Sequence, residues 1–409
     1  MSEAIEFKNP YRPGAGHMPP HLAGRERESA EFDLLLKQET ILENLVLTGL
    51  RGVGKTVLLE KFKERAVAAG WLWVGADLSE SASISEQNLS MRLLADLSVT
   101  TSAFTAEVPQ PQGIGFQSPA PPANERVALS YPVLQAMFNN TPGLVSDKIK
   151  GVLEFVHEVL SAHGRTKVVF AYDEAQNLSD HASKDQFPLS VLLDVFQSIQ
   201  RKGVGFMLVL AGLPTLFPKL VEARTYSERM FHVVMLGRLS GSESREAIEK
   251  PIEVANCPIS FAADSVEQIY GQSGGYPYFI QFICREVFDV FIQQFADADT
   301  PGVPVEAIQA KLDTDFFAGR WAKVTDRQRQ LLWVVASLEK DDDEFTIQEV
   351  YEQSRLLLEK GFSSSHANQM LGSLSEQGLI YKNRLGKYSF AVPLMGRFIL
   401  RIYQQPTGS

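Results

Sequence analysis

Cysteine is nearly missing from this chain: Cys257 and Cys284 are the two among 409 residues. They lie far apart in apolar neighbourhoods, without the spacing of a zinc site or a disulfide framework, so buried reduced thiols are expected. No uninterrupted apolar run reaches membrane length, and the N-terminus has neither the basic nor the apolar region of a secretion signal. A cytoplasmic protein is therefore expected. An excess of positive charge is also missing: 39 Lys and Arg face 49 Asp and Glu, a net charge of −10. That argues against broad nonspecific binding to nucleic acid and confines any DNA contact to a local basic face. What is present, 44% apolar and 22% charged residues, suffices for a sizeable core in two or three domains.

The stretch TGLRGVGKT, Thr48 to Thr56, follows the apolar run Leu45 to Leu47. It precedes Val57, Leu58, Leu59 and Phe62, which share one face of a helix. Strand, glycine-rich turn and helix are the setting of a phosphate-binding loop. Gly49, Gly52 and Gly54 let the backbone turn its N–H groups inward and remove Cβ atoms that would hold phosphates away. Leu50, Arg51, Val53 and Val57 complete the cradle through their backbone. Lys55 is placed to reach the β- and γ-phosphates of ATP, and the Thr56 hydroxyl to ligate Mg²⁺.

A second anchor is KVVFAYDEAQNL, Lys167 to Leu178. An apolar run ending in Asp173-Glu174 describes a strand buried on both faces with acidic groups at its C-terminal edge, where parallel sheets bind ligands. Asp173 is expected to hold Mg²⁺ through a water, and Glu174 to orient and deprotonate the attacking water. The alternative is a strand that simply ends in solvated charges.

Around these anchors the chain reads as follows. Residues 1–21 include NPYRPGAGHMPPH, whose prolines and glycines forbid regular structure and fit either an extended surface arm or a disordered leader. Trp71 to Leu78 reads as a buried second strand, followed by a helix over Ser85 to Leu97. Residues 101–130 turn to Pro, Gln, Ala and Gly and read as an inserted surface loop. A helical stretch is expected from Leu134 to His163, a helix near Leu189 to Arg201, and a buried strand in GVGFMLVLAGLPTLF. From Ser242 to Ala318 the pattern is helical, and Gly274-Gly275-Tyr276-Pro277 is a plausible helix start.

With LAGRERE, Leu22 to Glu28, one helix and one strand before the loop, the chain resembles P-loop ATPases of the AAA+ and STAND group, of the origin-recognition and archaeal-ATPase kind. The adjacent acidic pair is similar to theirs. The resemblance implies that Gly24, Arg25 and Glu26 border the adenine, that Thr215 senses the γ-phosphate, and that Pro277 packs near the nucleotide. It also implies that Arg229, with Arg224 second, faces the nucleotide of a neighbouring subunit in a homo-oligomer. A helix N-cap for Thr215 and a surface ion pair for Arg229 are the structural alternatives. The chain departs from AAA+ initiators where their lid supplies an arginine, since none occurs here before Arg285.

From about Trp321 the chain reads as a separate unit. A helix over Asp326 to Leu338 presents Leu331, Leu332, Val335 and Leu338, and the acidic run Asp341 to Glu344 follows. Thr346 and Glu349 make a capping box for a second helix, and a third begins at Ser363 to Ser365. Strands Leu379 to Arg384 and Lys387 to Val392 flank Leu385-Gly386. Three helices and a hairpin give the order of a winged helix. DNA binding would use the third helix in the major groove and Lys382, Arg384 and Lys387 on phosphates. Yet the outward side of that helix offers His366, Asn368, Gln369, Ser373 and Glu376. From Ala322 onward, Lys and Arg exceed Asp and Glu by a single residue. Packing or protein contact is the competing use.

The fold expected is α/β: a P-loop NTPase parallel sheet flanked by helices, a helical lid subdomain and a C-terminal winged helix. The boundaries are 1–21 for the arm, 22–240 for the ATPase core with its insertion at 101–130, 241–320 for the lid and 321–409 for the winged helix. The function expected is a slow Mg-ATP hydrolysing switch. A DNA-associated loader or target-selection ATPase and a STAND-like nucleotide-gated protein scaffold are the alternatives.

Overall fold

The computed structural model describes residues 8–14, 16–109, 124–257, 260–294, 303–338, 344–384 and 386–404. They divide into two compact units, one of Glu28–Thr48 with Leu58–Val234, the other of Met1–Arg27, Gly49–Val57 and Met235–Ser409.

In chain order the first half contains α1 (Glu26–Leu36), β1 (Asn44–Gly49), α2 (Lys55–Ala68), β2 (Leu72–Asp77), α3 (Glu86–Thr101), β3 (Thr105–Pro109), β4 (Asn124–Ala128), α4 (Tyr131–Asn140), α5 (Val145–Ala162), β5 (Lys167–Asp173), α6 (Pro188–Arg201), β6 (Gly205–Gly212), α7 (Leu216–Ala223), α8 (Ser227–Met230) and β7 (Phe231–Leu236). Five strands form one sheet in the order β2-β5-β6-β1-β7. The pairs β2–β5, β5–β6 and β6–β1 are parallel, with Asp77 opposite Asp173, Tyr172 opposite Leu210 and Thr48 opposite Gly212. Every residue of β1 and β6 is buried, as it must be for strands covered on both faces, which is why their sequences are apolar runs instead of alternating patterns. β2, expected to be buried, is not, because it is an edge strand in which Val74 alone is buried. Phe170, Phe196 and Phe206 meet in the core, the first two with ring centroids 5.1 Å apart.

Two details depart from the local sequence pattern. Residues 110–123 of the Pro/Gln-rich stretch lie outside the described residues, while its flanks pair as the separate antiparallel hairpin β3–β4, from Thr105 opposite Ala128 to Pro109 opposite Asn124. The helical stretch expected over 134–163 is two helices, because Pro142 brings no backbone donor and Gly143 takes φ +107° between them.

The second half contains α9 (Gly241–Val254), α10 (Ala263–Ser273), α11 (Pro277–Gln294), α12 (Val305–Leu312), a π-helical turn Asp313–Ala318, α13 (Gly319–Trp321), α14 (Asp326–Ala336), α15 (Ile347–Leu357), α16 (Ser364–Glu376), β8 (Ile380–Arg384), β9 (Lys387–Phe390) and α17 (Met395–Gln404). Capping boxes start three of these helices, at Ser240/Glu243, Thr325/Gln328 and Thr346/Glu349. Each satisfies two backbone donors that a helix start leaves open. β8 and β9 pair antiparallel, so α14, α15, α16 and the hairpin have the element order of a winged helix, with α17 added. Residues 341–343 of the acidic turn, and Leu385, lie outside the described residues. Cys284 is fully buried in α11, and burial pushes its thiol pKa up, whereas Cys257 is half-buried. Among the described residues no helix is long and apolar enough to cross a membrane.

Candidate nucleotide site

β1 ends at Gly49 and the loop leads directly into α2 at Lys55. The three glycines serve different ends. A Cβ on Gly49 would lie 2.6 Å from the Leu236 carbonyl oxygen and 2.9 Å from Val53 Cγ2, so here the need is room. Gly52 and Gly54 take φ +80° and +92°, and an added Cβ at Gly54 would meet nothing within 4 Å. At Gly54 the need is the left-handed backbone that turns N–H groups inward. Lys55 is buried, and its Nζ donates to the carbonyls of Gly49 at 2.9 Å and Leu50 at 3.0 Å, keeping the ammonium inside the loop. Thr56 is half-buried, with the backbone of Gly16 close to its methyl group: a Cβ on Gly16 would lie 3.2 Å from Thr56 Cγ2.

Gly24 and Arg25 meet this loop in the same unit. Arg25, 6% exposed, donates from Nη2 to the carbonyls of Val53 at 3.0 Å and Gly237 at 2.9 Å, and from Nη1 to Gly24 at 3.3 Å. Gly24 has φ +63°, and a Cβ there would run into the Glu243 side chain at 2.6 Å. Pro277 opens α11, and the N–H of the next residue, Tyr278, donates to the Gly52 carbonyl at 3.1 Å. Arg51 is exposed; a Cβ on Gly378, just past the end of α16, would stand 3.7 Å from Arg51 Nη1. The loop, the Gly-Arg-Glu stretch and the start of α11 are thus brought together.

The acidic edge belongs to the sheet unit. Asp173, 4% exposed, closes β5, and its Oδ1 accepts the N–H of Glu174 at 2.7 Å. Glu174 is exposed and holds a left-handed backbone, φ 52° and ψ 31°. A non-glycine residue in that region carries about 1 kcal/mol or more of strain, the kind of outlier that gathers at functional sites. Gln176, which sequence reasoning did not single out, donates from Nε2 to Glu174 Oε2. Thr215 occupies the N-cap position of α7 but makes no side-chain cap bond there. Arg224 and Arg229 differ sharply. Arg224 forms a two-pronged pair with Asp194, Nε to Oδ1 at 2.9 Å and Nη2 to Oδ2 at 2.7 Å, and Tyr226 donates to the same carboxylate at 2.5 Å. Arg229 is exposed at the end of α8.

The donor set suits a hard cation. Among the described residues there is no group of three or more His, Cys, Asp or Glu side chains able to hold a metal. The Thr56 hydroxyl in one unit and the Asp173 carboxylate in the other are each oxygen donors of the hard kind Mg²⁺ takes, an ion that keeps most of its waters and takes further ligands from substrate phosphates.

Residues 21–214 match the AAA ATPase domain family, and residues 314–399 match a domain of unknown function (DUF8462). No curated protein matches the sequence. Among solved structures, the Walker-type ATPase PABY2304 of Pyrococcus abyssi is 15% identical with a TM-score of 0.56, covering 93% of this chain and 96% of its own. The ORC2 protein of Aeropyrum pernix is 12% identical with a TM-score of 0.56, covering 96% and 97%. At these identities the likeness is one of fold. Residues 21–214 thus match the AAA ATPase domain family, within a chain that shares the fold of the Walker-type ATPase of Pyrococcus abyssi and the ORC2 protein of Aeropyrum pernix.

Proposed function

We propose that this chain binds Mg-ATP and hydrolyses it slowly, using its nucleotide state to set conformation and partner contacts. One observation carries the switch reading: the hydrogen bond from Tyr278 N–H to the Gly52 carbonyl of the phosphate loop. From Tyr278 a row of rings continues into the C-terminal helices of the same unit. Tyr278 and Phe316 have centroids 5.4 Å apart, Phe316 and Phe317 5.1 Å, and Phe317 stacks on Phe398 of α17 at 5.0 Å. Close-packed rings do not deform continuously, so a shift of Gly52 on binding phosphate is passed on as a discrete repacking.

In this reading the loop N–H groups and Lys55 hold the phosphates, and Gly24, Arg25 and Pro277 border the nucleotide. Thr56 and Asp173 would hold Mg²⁺, which when bound would neutralise phosphate charge. Glu174 orients the attacking water and takes its proton, while Lys55 stabilises charge spreading onto the γ-phosphate oxygens. Thr215 reads the γ-phosphate, and the exposed Arg229 is available to a second copy of the chain.

Glu174→Gln should bind ATP without turning it over, and Lys55→Ala should lose binding. Full turnover in purified Glu174→Gln would sink the catalytic assignment. Sedimentation with ADP and with a slowly hydrolysed ATP analogue, each with and without DNA, tests the oligomer. A monomer under all four conditions removes the role given to Arg229.

The winged-helix order of α14 to β9 favours a second reading, a DNA-associated loader that assembles with ATP. The outward side of α16 exposes His366, Asn368, Gln369 and Glu376, and Ser373 is half-buried. Asn368 also accepts a bond from Tyr388 Oη at 3.1 Å. Lys382 is exposed and Lys387 half-buried; the Arg384 side chain lies outside the described residues. DNA binding that weakens with salt and is lost on changing Lys382, Arg384 and Lys387 supports the loader. A nucleotide-retaining monomer without DNA affinity supports a STAND-like protein scaffold.

A further inference from the structure

The carboxylate of Glu174 is tied into the sheet by a single side-chain amide. Gln176 Nε2 donates to Glu174 Oε2, and Oε1 of the same amide accepts the N–H of Leu213 at 3.0 Å. The orientation follows from the partners, because a backbone N–H only donates and an ionised carboxylate only accepts. Leu213 is the first residue past β6, the strand paired with both β5 and β1. One planar group therefore joins the acidic edge of β5 to the end of its neighbour.

The surroundings hold that group in place. Lys219 of α7 donates to the Gln176 carbonyl at 2.6 Å, to the Leu178 carbonyl at 3.2 Å and to Ser179 Oγ at 2.7 Å, clamping the short turn Ala175–Asn177. Gly212 supplies the space: a Cβ there would lie 2.7 Å from Gln176 Oε1 and 3.3 Å from its backbone nitrogen. Any other residue at that position would force the amide away from Leu213.

We propose that Gln176 is a positioning residue for ATP hydrolysis, holding one oxygen of Glu174 so that the other faces the attacking water, and coupling that orientation to the end of β6. Thr215 lies two residues beyond Leu213, so a movement of this segment on contact with the γ-phosphate turns the carboxylate through the amide. The inference rests on the reading of Glu174 as the base, and the test separates the two.

The full chain is assayed for single-turnover hydrolysis of Mg-ATP, ATP affinity and thermal midpoint as wild type, Glu174→Gln, Gln176→Glu and Gln176→Leu. Gln176→Glu keeps an acceptor for Leu213 but sets a like charge against Glu174; Gln176→Leu removes both bonds. Both should slow hydrolysis about tenfold or more, the effect of losing a charge-assisted hydrogen bond, with ATP affinity within about twofold of wild type. Wild-type rates in both, beside an inactive Glu174→Gln, overturn the role of Gln176 and leave Glu174 standing. Turnover in Glu174→Gln, or none in wild type, removes the base assignment and this inference with it. A parallel loss of rate and ATP affinity, or of thermal midpoint in both variants, makes Gln176 a structural residue and overturns the proposal.

Discussion

Replacing Arg25 with methionine distinguishes two ways in which the Gly-Arg-Glu stretch can serve the nucleotide. The guanidinium is 6% exposed and donates to the carbonyls of Val53, in the phosphate loop, and Gly237, just past β7. A hydrogen bond involving a charged group contributes about 1.5–3 kcal/mol. Methionine fills similar volume but offers neither bond, so the gross loss approaches ~3–6 kcal/mol, part of which water entry recovers. If about half of what remains falls on the phosphate-binding shape of the loop, affinity drops about ten- to a hundredfold. Titration calorimetry with ATP, ADP and inorganic triphosphate reads the difference. A brace on the loop weakens all three ligands by the same factor. Arg25→Lys should fall between, since one ammonium cannot reproduce the fixed fork of the guanidinium. Loss of ATP and ADP affinity with triphosphate unchanged would refute the brace and assign Arg25 to the base.

Three further outcomes follow from particular contacts. Asn44 is fully buried, with Oδ1 accepting from Leu208 N at 2.7 Å and Gln200 Nε2 at 2.8 Å. Asn44→Ala strands a buried N–H and should lower stability by about 2–4 kcal/mol in urea unfolding, a value under ~1 kcal/mol counting against it. Gly49→Ala forces a Cβ onto the Leu236 carbonyl at 2.6 Å and should abolish measurable ATP binding; retained affinity means that the loop relaxes at little cost. Burial acts to raise the Asp194 pKa, but the bonds from Arg224 and Tyr226 outweigh it and hold the group below the usual carboxylate value. A depressed folded-state pKa gives stability that is present above the unfolded value, about 4, and is lost as pH falls through the folded one. The deficit of Asp194→Asn in thermal midpoint should therefore shrink on acidification, and a deficit that grows refutes the pairing.

Much of the fold could be read from local pattern because the strongest signals are local. The apolar run into Asp173 is a strand buried on both faces, and Thr346 with Glu349 closes the capping box that its spacing announces. The phosphate loop is legible for a similar reason: its glycines, lysine and threonine act within nine residues of chain. What escaped is chemistry supplied from a distance. Gln176 lies two residues after Glu174, yet nothing in AYDEAQNL says that its amide reaches Leu213, 37 positions further on. Resemblance ranks Arg229 before Arg224, but no local physical signal in the sequence separates them; Asp194 on α6 does, by pairing with Arg224 and not with the exposed Arg229.

The N-terminal arm carries this point furthest. Its prolines and glycines say that the backbone cannot satisfy itself, which suits a docked strap and a disordered leader equally. The decision is made by groups more than 200 residues away. Asn9 donates to the Arg285 carbonyl at 2.9 Å and to Asp289 Oδ1 at 2.7 Å, and Arg12 N–H donates to Gln281 Oε1 at 3.1 Å. Tyr11 is buried against Phe261 and Phe288, with its hydroxyl on the Ile248 carbonyl. Those partners lie on α9, α11 and the segment between α9 and α10. The same arm then passes Gly16 beside Thr56, and just beyond its end Arg25 bonds to the loop. A segment with no structure of its own is thereby fixed at one end by the helices after the sheet and at the other by the phosphate loop. Loosening Tyr11 should therefore be felt at Thr56, because the described residues between the two anchors include no regular element to absorb the movement.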